Sequence, residues 1–261
     1  NRIMNSASDL NSLIIQHAED AELSKDGMIN DGIIATKLGL QGIPVSAELL
    51  ILERDLTLLE YNNCRYHISQ ISSASSVEII RERKNKVNFS CGVSINNLSL
   101  NENDIGDFKT FLKLSPPLRT EDDRNALVQG LVDETIDVIV SDHKPEDEEN
   151  KRLTFAQAET GASGIETLLP LSLELYHNGS VNLETIIKAL TSSPAKILKI
   201  NKGNLSIGND ADFCIVDINK PWVVRKEKLI SKSKNTPIED KKLQGKVMNT
   251  FVNGEELFKA E

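Results

Sequence analysis

Several things are scarce in this chain, and each scarcity excludes something. There are only three cysteines, Cys64, Cys91 and Cys214. They are odd in number, far apart and set in apolar surroundings. That excludes a disulfide framework or a cysteine-based metal cluster and points to reduced core thiols of a cytoplasmic protein. No apolar run approaches the ~20 residues of a membrane span, and the opening Asn-Arg-Ile-Met-Asn-Ser does not read as a signal peptide. Basic residues are in deficit, with a net charge of −9, and they are interspersed with acids. No basic face is left for nucleic acid. Internal repeats and low-complexity tracts are absent. Apolar residues are not scarce: at 39% of 261 residues they can bury one large domain or two smaller ones.

The most informative stretch is Thr135-Ile-Asp-Val-Ile-Val-Ser-Asp-His-Lys-Pro145. A short β-branched run closed by polar residues and a proline reads as a buried strand. In a parallel sheet, Asp142 and His143 would sit at the strand's carboxyl end, where α/β folds carry their chemistry. The alternative is a capping Asp followed by a surface His. Leu13-Ile-Ile-Gln-His17 repeats the pattern, ending in His17-Ala18-Glu19-Asp20. Further strands are expected at Arg65–Ile71, Val87–Val93 and Phe108–Leu114, making the Thr135 stretch the fifth. Ser46 is the expected N-cap of a helix carrying Leu49, Leu50, Leu52, Leu56 and Leu59. Ser75 with Glu78 is read as a capping box opening Val77–Lys84, and Thr120 with Asp123 opens a helix to about Leu131. Gly164 to about His177 and Leu183–Leu190 are helical by period, with Ser193-Pro194 expected to cap and start another short helix. Beyond about Lys199 come strands Phe213–Asp217 and Val247–Val252, and Asn253-Gly254 turns into Glu256–Phe258. Strands alternating with helices, then strands alone, give an α/β domain over residues 1–199 and a small β-domain over 200–261.

The motifs Ser115-Pro-Pro-Leu-Arg119, Asp122-Asp123-Arg124, Thr135 to His143 and Gly164-Ile-Glu-Thr167 resemble, in order and spacing, the longer class I bacterial dihydroorotases of the amidohydrolase superfamily. Gly203-x-Leu205-x-x-Gly208-x-x-Ala211-Asp212-Phe213 and Gly245-x-Val247 are similar to that superfamily's β-domain. The resemblance implies a (β/α)8 TIM-type barrel, only its later strands in this chain, with a C-terminal β-domain. It implies reversible conversion of carbamoyl-aspartate to dihydroorotate in pyrimidine biosynthesis, helped by one or two zinc ions. Asp142 would be the catalytic proton shuttle and a metal ligand, and His17 a second ligand. Ser115, Arg119, Glu146 and Gly161 would lie on the substrate side. A homo-oligomer, and a partnership with aspartate transcarbamoylase, are implied as well.

The departures from the family pattern are specific. No His-x-His pair, the family's opening metal motif, occurs among the four histidines, and the early barrel strands are expected to be missing from this chain. The segment between Met4 and Leu13 looks short for the helix the family places there. The expected His-x-x-His-x-Ser reads His67-Ile-Ser-Gln70-Ile-Ser72, which puts Gln70 at a ligand position, and an amide is a poor zinc ligand. Asn96 and Asn97 replace two histidines, Ser115 replaces an Asn, and Glu146 replaces a His expected to touch substrate. Two alternatives follow: a catalytically silent dihydroorotase homologue serving as a structural partner of aspartate transcarbamoylase, or a hydantoinase- or allantoinase-like hydrolase. Ser115-Pro-Pro-Leu-Arg119 argues against the latter. Residues 67 and 70 should face opposite sides of a regular strand, so His67 is read as structural. His143 should orient its loop, and Trp222 should pack the β-domain against the barrel.

Overall fold

Four of the apolar runs lie side by side as parallel strands in a computed structural model, which describes residues 1–260. The chain starts with α1 (Arg2–Asp9) and β1 (Leu13–Gln16). A small pair, β2 (Ile29–Asn30) and β3 (Gly42–Ile43), brackets α2 (Ile33–Leu38). Then come α3 (Val45–Leu59), β4 (Arg65–Ile71), α4 (Ala74–Arg83), β5 (Ser90–Ser94), α5 (Ile95–Ser99), α6 (Glu121–Val132) and β6 (Val138–Val140). The main sheet has the order β1-β4-β5-β6, parallel throughout. Tyr66, Ile68, Cys91, Val93, Val138 and Ile139 are buried in it. A sheet covered on both faces favours such continuous apolar runs.

After α7 (Glu148–Lys151), α8 (Leu168–His177), α9 (Leu183–Leu190) and α10 (Ser192–Leu198), the chain builds an antiparallel sheet from β7 (Phe213–Val223), β8 (Lys242–Val252) and β9 (Glu255–Lys259). Asn253 and Gly254 both have positive φ, as the tight β8–β9 turn requires. This sheet packs on α8 without room to spare: a Cβ on Gly245 would lie 2.3 Å from Leu173 Cδ1. Trp222 Nε1 donates to the Gly245 carbonyl (3.0 Å), and the ring packs against the core.

The loops after the parallel strands are tied together by a buried polar network. Glu48 of α3 accepts from Ser72 N (3.0 and 3.1 Å), Ser72 Oγ (2.5 Å), Ser73 Oγ (3.3 Å) and Ser76 Oγ. Arg119 donates from Nε to Ser72 Oγ (3.1 Å) and from Nη1 to Asn30 Oδ1 (2.8 Å) and the Ile43 carbonyl (2.6 Å). Asn30 Nδ2 donates in turn to Glu102 Oε2 (2.6 Å). Buried charges persist only when surrounded in this way.

Several local expectations change. Phe108–Leu114 is not a strand: Phe108 has a positive φ and Thr110–Leu112 is a single 3₁₀ turn, so β6 is the fourth strand of its sheet, not the fifth. Pro44 at φ −67° and ψ 149° is the residue from which α3 departs, ahead of Ser46. Ser73, whose Oγ accepts from Ser76 N (3.2 Å), caps α4, ahead of Ser75. The Thr120–Asp123 capping box forms as read. Helix α8 starts at Leu168, later than read, and Gly164 is instead pressed against the Ser141 carbonyl, where a Cβ would lie 2.3 Å away. Thr191, not Ser193, is the N-cap of α10. The short stretch before β1 does hold a helix of eight residues. Cys64 and Cys91 are buried, but Cys214 is exposed on β7.

Two lysines are buried without a carboxylate against either ammonium. Lys151, 1% exposed, donates to the Glu159 carbonyl (2.6 Å), and Lys113 donates to those of Ala156 (3.0 Å) and Ala158 (2.8 Å). Burial pushes the Lys151 ammonium down from 10.5 to about 8, against the pull of Glu146. The unfolded chain therefore holds more protons than the folded one between those values. Folding stability should rise with pH from about 8 to 10.5, by on the order of 1–3 kcal/mol relative to a Lys151→Met variant. Urea midpoints of the two proteins across that range check this; parallel pH profiles would contradict it.

Candidate active site

Because the four strands are parallel, their carboxyl ends share one rim, and the polar residues that close each run meet there. His17 and Glu19 follow β1, Gln70 stands near the end of β4, Ser94 ends β5, and Ser141-Asp142 follows β6. Asp142 has φ +47°, a sharp left-handed turn before Pro145.

These residues form a connected chain of contacts. Gln70 Nε2 donates to Asp142 Oδ1 (3.3 Å) and to the Ser115 carbonyl (3.2 Å). Ser115 Oγ donates to Glu19 Oε2 (3.2 Å), and His17 Nε2 lies 3.2 Å from both Ser115 Oγ and Glu19 Oε2. Sequence reading named four of these five residues. Glu19 was missed as a site residue, although its place two positions after His17 was a signal. A cavity of about 430 Å³ opens beside the group, lined by Ile15, His67, Gln70, Val140, Asp142 and Pro194 among others.

His67 and Gln70 both line this cavity, and the β4–β5 register shifts between Ile68 and Ile71. His67 Nδ1 pairs with Ser90 Oγ at 2.8 Å, and burial lowers the pKa of the ring.

The electrostatics follow from these contacts. The hydrogen bond that Glu19 accepts raises the His17 pKa, and the same bond holds the Glu19 carboxyl down at about 2. Asp142 moves the other way: burial raises its pKa, against the opposing pull of Gln70, His17 and Lys144. The mouth thus holds one carboxylate kept ionised and another biased toward holding a proton.

As arranged, these side chains do not fit a zinc ion. Among the described residues no group of three His, Cys, Asp or Glu side chains could hold a metal. His17 Nε2 is already engaged, and Gln70 points an N–H donor at Asp142 where a ligand would have to present a lone pair.

Three expected substrate contacts change character. Arg119 is 3% exposed and its guanidinium is taken up by Ser72, Asn30 and Ile43, so it braces loops. Gly161 is glycine for packing reasons, since φ is +141° and a Cβ would sit 2.6 Å from the Lys144 carbonyl. Its N–H donates to Lys113 O (2.9 Å) and its carbonyl accepts from Asn235 Nδ2 (3.2 Å). Glu146 is held through its backbone, its carbonyl accepting from Ser233 Oγ (2.7 Å). His143 orients its loop, with Nδ1 accepting from Gly164 N (3.2 Å) and Ile165 N (3.4 Å).

The sequence matches the amidohydrolase family over residues 1–257. It is 42% identical over 256 residues to a dihydroorotase of Ehrlichia canis, covering 97% of this chain and 57% of that protein. It is 41% identical over 254 residues to a dihydroorotase of Syntrophus aciditrophicus, covering 97% and 60%. The chain therefore spans less than two thirds of the length of these relatives. Its fold superimposes on an L-hydantoinase (dihydropyrimidinase) of Arthrobacter aurescens with a TM-score of 0.88 at 26% identity, covering 98% of this chain and 59% of the other. Against a dihydropyrimidinase of Brevibacillus agri the score is 0.88 at 21% identity, covering 99% and 59%. The parallel sheet is accordingly four strands of a TIM-type barrel, with an antiparallel β-sheet attached.

Replacing Glu19 with Gln removes the charge that holds the proton on His17. The His17 pKa should fall toward its ordinary value of 6.5, read from the imidazole resonances in an NMR pH titration. An unchanged titration would mean that the contact does not govern the imidazole.

Proposed function

The chain belongs to the amidohydrolase family, and on that premise we propose that the protein is a dihydroorotase-type cyclic amidohydrolase of the cytoplasm, interconverting carbamoyl-aspartate and dihydroorotate. In the hydrolytic direction the ring amide C–N bond breaks; water gives its hydroxyl to the carbonyl carbon and a proton to the departing nitrogen. Ring closure runs the same steps backwards and releases the water. The single observation that carries the reading is Asp142, a carboxyl with a raised pKa at the end of a parallel strand and beside a cavity. A group that takes a proton from water and returns it to nitrogen works best with its pKa moved toward the operating pH. Relatives bearing the name dihydroorotase at 40–42% identity support the same assignment. Family members are generally metal-dependent. Zinc at this mouth would need ligands beyond the side chains gathered here.

Gln70 favours a second reading. Its amide bonds Asp142 and Ser115 at the position where the resemblance calls for a histidine ligand. On that reading the protein is a catalytically silent homologue, kept as a structural partner of aspartate transcarbamoylase.

Hydrolysis of dihydroorotate by the purified full-length protein separates the two. The enzyme reading predicts turnover that Asp142→Asn lowers by at least about 100-fold, the scale of a lost general acid–base group. Absence of turnover, with co-purification of a transcarbamoylase, would establish the silent partner instead. A second measurement addresses the metal. If Gln70 blocks zinc, Gln70→His should raise zinc affinity in a calorimetric titration by on the order of tenfold or more. Equal affinity in both proteins would remove Gln70 as the cause.

A further inference from the structure

The loop that leaves Asp142 and returns at Ser163 is not held by the barrel alone. We propose that Asn235, in the segment between β7 and β8, is a positioning residue that clasps both limbs of this loop beside the candidate active site. The inference deepens the dihydroorotase reading and rests on it for its consequence on substrate, but not for the clasp itself.

Asn235 lies far from the loop in sequence, yet it is 2% exposed and joined to it on every side. Its Oδ1 accepts from Ser163 Oγ (3.0 Å) on the returning limb and, at 3.5 Å, from Glu146 N on the outgoing limb. Its Nδ2 donates to the Gly161 carbonyl (3.2 Å), and its own carbonyl accepts from Ser163 N (3.1 Å). An amide side chain carries a donor and an acceptor on one short stem, so it can bind the carbonyl of one limb and the N–H of the other. Ser233, on the same segment, donates to the Glu146 carbonyl (2.7 Å). Glu166 completes the seam by accepting from Ile230 N (3.0 Å) and Ser231 N (2.9 Å). The space between His143, Ser163, Glu166, Leu229 and Ser231 encloses no room for a water molecule.

The clasp closes next to the reacting group. His143, the neighbour of Asp142, pairs with Ala162, and Lys144 N donates to the Ala162 carbonyl (2.9 Å). Fixing Gly161 and Ser163 therefore fixes the strand end that carries Asp142 and the backbone that presents Glu146. Substrate bound against this loop would meet a surface whose position is set from the β-domain side. Losing the clasp should cost orientation and affinity more than chemistry.

The test uses the full-length protein with Asn235→Ala and, at a half-buried position, Ser233→Ala. Hydrogen exchange followed by mass spectrometry should show peptides within 143–163 exchanging at least about tenfold faster in Asn235→Ala, with peptides of β4 and β5 unchanged. KM for dihydroorotate should rise about tenfold with kcat within about threefold of the wild-type value. Unchanged exchange in the loop for both variants would overturn the clasp, and a freed loop with unchanged KM would overturn its positioning role. Should the wild-type protein show no turnover while Asn235→Ala frees the loop, the clasp stands and the dihydroorotase reading fails. If Asn235→Ala does not fold, Ser233→Ala decides by the same readouts.

Discussion

The carboxylate of Glu48 is the group on which the mouth of this molecule depends. It is buried where an unpaired charge would be untenable, and five donor contacts from one short serine-rich stretch keep it there. Those serines follow β4, so satisfying Glu48 dictates how the chain leaves the sheet just beyond Gln70. Arg119 shares Ser72 with Glu48 and reaches on to Asn30 and Ile43, tying the end of β4 to the small β2–β3 pair. Glu48 and Arg119 meet only through Ser72 Oγ, which donates to the carboxylate and accepts from the guanidinium.

Above this base, the site residues satisfy one another. Asp142, Gln70, Ser115, His17 and Glu19 form a run of contacts near 3.2 Å across the carboxyl rim. Such a run tunes its members in opposite directions: Glu19 is stabilised as an anion by its imidazole neighbour, while burial raises the Asp142 pKa against the pull of Gln70, His17 and Lys144. The same amide that steadies Asp142 is the feature least compatible with a metal. Ancestry and present chemistry therefore draw on the same few residues but are separate questions.

The parts of the fold that proved legible were those governed by local chemistry. The β6 run with its polar stop, the exact span Arg65–Ile71, the Thr120–Asp123 capping box and the Asn253-Gly254 turn each depend on residues within a few positions of one another. The misreadings share one cause. Phe108–Leu114 has a strand's composition but no strand beside it to pair with, and Lys113 is drawn down to carbonyls in another loop. Ser75 is a good capping residue, yet Ser73 holds the cap because Glu48 organises the serines ahead of it.

By itself the sequence determined the class of the fold, the strand ends where polar residues gather, and the identity of Asp142, His17, Gln70 and Ser115 as residues to watch. Periodicity, capping and turn preference are short-range, so they can be read along the chain. Tertiary structure alone decided that Arg119 is a brace, that Gly161 is glycine because of Lys144, that Glu19 meets Ser115, and that Asn235 reaches the loop after Asp142. Each of these rests on contacts between residues distant in sequence, formed only once burial has forced every donor and acceptor to find a partner.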